Sequence, residues 1–72
     1  MGSRIIKHED FEFLCTADPA DRGQFVPGLV VTRRVWPTRP RVIAVQRGHH
    51  LTEEAAIAAA IDQGVEWVRN YG

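Results

Sequence analysis

The chain has almost no cysteine: Cys15 stands alone among 72 residues. A single thiol excludes an intrachain disulfide framework and points to a reducing compartment, the cytosol. Long apolar runs are also missing, and none approaches the roughly 20 residues of a membrane helix. The opening Met1-Gly2-Ser3-Arg4-Ile5-Ile6-Lys7 lacks the extended apolar stretch of a signal peptide. Ile6 occupies the position where a myristoylation site needs Ser or Thr. A soluble, cytoplasmic protein is expected, with no membrane partner.

Acidic residues are absent between Gln24 and Leu51, while Arg33, Arg34, Arg39, Arg41 and Arg47 all fall there. Met1 to Gly23 carries five acids against three bases, and Thr52 onward four acids against one base. The net charge of zero argues against a general binder of polyanions. It conceals a basic middle between acidic ends.

Catalytic and ligand-binding signatures are scarce. No Cys-x-x-Cys or His-x-x-x-His pair announces a zinc site, and Gly23, Gly28 and Gly48 fit no phosphate-binding loop. His49 and His50 read as a solvated loop pair beside the helix start, with His8 elsewhere. Cys15 alternates with phenylalanines and reads as core, without a marked activating neighbour. Glu9-Asp10 suits a solvated loop, and Glu53-Glu54 suits a helix N-terminus. A single small sheet with one helix offers little concavity for a substrate. No enzyme activity, metal or cofactor is expected.

What is present is a fold. Thr52 is placed to cap a helix, with Glu53 and Glu54 where the helix dipole favours negative charge. At 100° per residue, Ile57, Ala60, Ile61, Gly64, Val68 and Tyr71 converge on one face. Ala55, Ala59, Asp62, Glu66, Arg69 and Asn70 fall on the other. Gly64, on the apolar stripe, predicts a close approach between the helix and whatever it covers.

Upstream the period changes to two. Phe11, Phe13 and Cys15 alternate with Glu12, Leu14 and Thr16, a half-buried strand. Turn formers follow from Asp18 to Gly23, then an apolar, β-branched run from Gln24 to Trp36. Pro27-Gly28 interrupts that run, which predicts a bulge or a strand end. Pro37 to Pro40 makes the next turn, and Arg41 to Arg47 the third strand.

The expected fold is therefore a single α+β domain over residues 1–72. It has an antiparallel sheet of three strands, or four with a short strand from Arg4 to Lys7, packed by one C-terminal helix in the order β-β-β-α. Leu29, Val31, Val35, Ile43 and Val45 would take the helix. Val30, Thr32, Arg34, Trp36, Ala44 and Gln46 would face outward, and Arg33, on the apolar parity, would snorkel to the rim.

Leu51-Thr52-Glu53-Glu54-Ala55, followed by Gly64-Val65-Glu66-Trp67-Val68, resembles the ending of a family of small uncharacterised bacterial proteins. That resemblance implies a strand meander with one C-terminal helix ending in a tryptophan-bearing turn. It implies no activity.

Two functional expectations follow. The outer sheet face, left without a cover, points to an interaction or adaptor module that meets another protein or a second copy. The alternative is a nucleic-acid-binding domain. There Arg34, Trp36, Arg39, Arg41 and Arg47 would hold phosphates and stack on a base around the Pro37–Pro40 turn.

Overall fold

A computed structural model describes residues 2–35, 38–45 and 48–71 of the chain. Strands β1 (Gly2–His8), β2 (Phe11–Pro19), β3 (Phe25–Arg33) and β4 (Arg41–Ile43) form one antiparallel sheet in the order β1-β2-β3-β4, followed by helix α1 (Glu53–Tyr71). The optional strand at Arg4 to Lys7 is a full member of the sheet, so the order is β-β-β-β-α. The β1–β2 hairpin turns at Glu9 and Asp10, with Glu9 at φ +54° and its carboxylate 3.5 Å from His8.

The β2–β3 ladder runs unbroken from Phe11↔Arg33 to Pro19↔Phe25, with Thr16 opposite Gly28 and Ala17 opposite Pro27. Pro27-Gly28 is thus neither a bulge nor a strand end, and the reason lies in which way Pro27 faces. Phe25 exchanges two backbone hydrogen bonds with His50, at 2.7 and 2.9 Å. Its N–H and C=O therefore point away from β2. Peptide groups two residues apart on a strand point the same way, so the nitrogen of Pro27 also faces away from β2. Its missing N–H costs the β2–β3 ladder nothing.

The cost falls on β4 instead. The next partner on that side after Leu29↔Ile43 would need a donor from Pro27. The chain leaves the ladder there, and His50 rejoins opposite Phe25. The strand expected from Arg41 to Arg47 is accordingly shortened to Arg41–Ile43. β3 also stops earlier than expected, at Arg33. Val35, expected against the helix, is exposed in the bend that follows.

Faces follow from the register. Phe13, Cys15, Ala17, Leu29 and Val31 turn towards α1 and are buried with Ala56, Ile57, Ala60 and Val68, while Ile43 and Val45 pack at the margin. Val30 and Thr32 face outward as expected. Arg33 lies opposite Phe11 on the helix side and is exposed at its rim.

The helix begins as its sequence predicts: the Ala55 amide donates to Thr52 Oγ1 at 3.0 Å. Its buried stripe also takes in Ala56, which was assigned to neither face, and two assigned residues differ. Ala59, assigned to the wet side, is buried, since one methyl group needs little cover. Tyr71, assigned to the stripe, is 75% exposed, because the last turn stands over the final ladder pair where the sheet ends.

Phe13 is the largest fully buried side chain among the described residues, and Gly64 lies directly over it. A Cβ built on Gly64 would meet Cδ2 and Cε2 of that ring at 2.9 Å. The helix reaches the sheet because position 64 has no side chain. Gly64→Ala is therefore expected to lower stability by about 1–3 kcal/mol through overpacking. That is opposite in sign to the ~1 kcal/mol by which alanine ordinarily improves a helix. Chemical denaturation measures it, and the same substitution beside Phe13→Leu should show less than additive loss. A Gly64→Ala variant more stable than the parent would refute this packing.

Candidate functional site

A cleft opens at one end of the domain, where β2 starts, β3 ends, β4 starts and the last turns of α1 pass over. Cross-strand pairing puts Phe11 beside Arg33 and Val31 beside Arg41 on the helix side of the sheet. Trp67 and Tyr71, one helical turn apart, project from α1 over the same end. The Trp67 ring meets the edge of Phe11 at 82° and 5.8 Å between centroids, and Tyr71 follows at 5.9 Å and 41°. Edge-to-face packing of this kind favours the rings over the same area of aliphatic contact.

Arg39 arrives from the β3–β4 connection, and the cleft encloses about 740 Å3 between Phe11, Val31, Trp67, Tyr71, Arg33, Arg39 and Arg41. That volume lies within the range of about 300–1,000 Å3 for small-molecule pockets. Its floor is apolar, and three exposed guanidinium groups line it without a carboxylate among the described residues. Such a site attracts an anion while offering ring faces to a planar group.

The opposite face of the sheet carries a second feature. Ile5 pairs with Leu14, Leu14 with Val30, and Val30 with Val42, so one apolar row crosses all four strands. Val42 is 84% exposed and Ile5 60%, and no described element covers them. Lys7, Glu12 and Thr32 flank this row on one side, and Ser3, Thr16 and Gly28 on the other.

No family model matches the chain, and neither does any curated protein or solved structure.

Of the residues singled out from the sequence, the structure brings Arg39 and Arg41 together and adds Arg33. Arg34 is exposed outside the cleft lining, its amide donating to the Asp10 carbonyl at 2.6 Å. Trp36, Gln46 and Arg47 lie outside the described residues. The aromatic residues that share the cleft with the arginines are Phe11, expected on a half-buried strand, Tyr71, expected on the apolar stripe, and Trp67, which was assigned to neither face of the helix. The available signal was Trp67 and Tyr71 at i and i+4 beyond the end of the predicted sheet.

The groups considered for other chemistry are dispersed. Among the described residues no three of His, Cys, Asp and Glu come together as a metal-binding group. His8 lies beside Phe13, 5.7 Å between ring centroids, while His49 is exposed beyond β4. No helix among the described residues is long and apolar enough to cross a membrane.

Cys15 has no exposed surface. Burial pushes its thiol above the ordinary pKa of 9.0, and the Arg4 guanidinium offsets part of that shift. A raised folded-state pKa means the native form holds its proton longer than the unfolded chain. The associated stability is complete below the unfolded value of about 9 and declines as pH rises through the folded one. Two results are expected: thiol reagents label the native protein at pH 8 only as fast as it unfolds, and the denaturation midpoint falls above pH 9. A Cys15→Ser variant should lose that last segment of the pH profile, which guanidinium titrations at several pH values would measure.

Proposed function

We propose that this chain is a small cytosolic interaction module that pairs with a second copy of itself through the open face of its sheet. The observation that carries the reading is the Ile5–Leu14–Val30–Val42 row, apolar across every strand and uncovered. A sheet with one face on a helix and the other towards solvent normally alternates cleanly to polar outward residues. This one departs from that pattern along a single continuous line.

Size and charge support a second copy as the occupant. Four strands about 4.8 Å apart and up to about 30 Å long present roughly 500 Å2 in projection. A standard interface takes about 800 Å2 per partner, so the face suits a weak, reversible dimer. The outer parity carries few charges, with Lys7 directly opposite Glu12 and Asp18 at the far end, so two copies stacked face to face meet little repulsion. The long free edge is a poorer surface, because Arg4 and Lys7 on β1 discourage pairing with another strand. The short core gains most from such an arrangement, since small domains bury too little surface alone.

Light scattering on a concentration series is expected to show a monomer–dimer equilibrium. Val42→Asp changes a side chain that supports nothing inside the protomer. It should weaken association at least tenfold, corresponding to about 1.4 kcal/mol, while leaving the thermal melt of the dilute protein unchanged. A strict monomer at millimolar concentration would overturn the proposal.

A further inference from the structure

We infer that the cleft between the end of α1, the end of β3 and the start of β4 is a binding site for a short stretch of single-stranded nucleic acid. It lies on the helix side of the sheet, opposite the apolar row, and does not depend on self-association.

The chemistry of the lining selects the ligand. Arg33, Arg39 and Arg41 supply fixed positive charge around a floor of Val31 and Phe11, with no carboxylate in the lining among the described residues. Guanidinium groups bind phosphate oxygens in a planar fork and also stack on rings. An acidic peptide would satisfy the charges but leave the faces of Trp67 and Tyr71 without a matching surface. A nucleotide strand supplies both, since every base has a π-face and every linkage an anion.

Geometry selects the single strand over the duplex. Bases within a duplex follow each other at about 3.4 Å per strand. Trp67 and Tyr71 pack on each other at 5.9 Å and 41° between rings, which leaves no room for a base between them, so a base stacks on the exposed face of Tyr71; an unpaired base offers such a face, whereas both faces are stacked within a duplex. Phe11, edge-on to Trp67, fixes that ring in place. Tyr71, 75% exposed at the tip of the helix, presents a face that has no role in the core. The two parts of the site are also placed differently along the chain. The charges come from residues 33–41 and the rings from residue 11 and the last two turns of the helix, so the site exists only when the helix has docked.

The test is a titration of the whole chain with fluorescein-labelled single-stranded DNA and RNA of mixed sequence, read by anisotropy and by quenching of the indole. A Trp36→Phe background makes Trp67 the sole indole. Binding should quench it and weaken with salt at a log–log slope of about −2, since each phosphate on a single strand contributes about −0.7. That slope corresponds to a roughly 16-fold loss between 50 and 200 mM salt. Arg39→Ala and Arg41→Ala should each weaken binding and reduce the slope by about 0.7. Tyr71→Ala, which removes a ring that is 75% exposed, should cost about tenfold with the slope unchanged. Arg69→Ala, on a different side of the helix beside Asp62 and Glu66, should change little.

Equal losses for Arg69→Ala and Arg39→Ala would mean diffuse charge attraction, and the site would fall. So would duplex DNA or poly-glutamate binding as tightly as the single strand. Absence of quenching under conditions where anisotropy rises would place the strand elsewhere and overturn the assignment as well.

Discussion

The placement of the helix on the sheet, and with it the cleft at its end, depends on the contact between Gly64 and Phe13. The helix crosses the sheet over this ring, with alanines in the two turns before it: Ala56 and Ala60 are buried in the same cluster. Small side chains in the first half of α1 bring its axis close to β2 and β3. The larger Trp67 and Tyr71 then stand beyond the buried stripe instead of beneath it. Had position 64 carried a side chain, the helix would ride higher and the aromatic residues near its end would lose their relation to Phe11 and the arginines. A packing contact in the core thus sets the width of a cleft at the surface.

Pro27 plays the corresponding part within the sheet. Its nitrogen is turned to the side where β4 would continue, so the β2–β3 ladder stays complete while the β3–β4 ladder stops at Leu29↔Ile43. This leaves β4 only three residues long, with Arg41 at its first position. The arginines are thereby carried on a short edge strand and the connection before it. Guanidinium groups on such a segment are free to meet a ligand, and they also protect the edge from pairing with another strand.

The two surfaces have different physical origins. The apolar row on the outer face arises from register: Ile5, Leu14, Val30 and Val42 belong to four strands and align because each hairpin sets its neighbour's pairing. The cleft arises from docking of the helix. One surface therefore needs only the sheet, whereas the other needs the complete tertiary structure. The apolar row lies on the face away from the buried core, whereas the cleft shares Val31 with it and rests on Phe11 and Trp67, which pack against it. Exposed side chains such as Val42, Arg39, Arg41 and Tyr71 are accordingly open to substitution without loss of the fold.

The alternation through Phe11, Phe13 and Cys15, the cap at Thr52, the apolar stripe of the helix and the basic middle segment were all legible in the residues themselves. Each depends on neighbours within a few positions, where pattern and propensity act. The inward parity of Leu29 and Val31 and the outward parity of Val30 and Thr32 were legible for the same reason. The orientation of Pro27 was not, because a strand's sequence does not say which of its two edges has a partner, and only the bridge from Phe25 to His50 decides it. Nor was the union of Arg39 and Arg41 with Trp67 and Tyr71. Those residues lie far apart along the chain and meet only when the helix folds back over Phe13. The sequence by itself determined the elements, their faces and the sign of the charge; the tertiary structure decided which aromatic residues stand beside which arginines, because that depends on how closely one glycine lets a helix approach a ring.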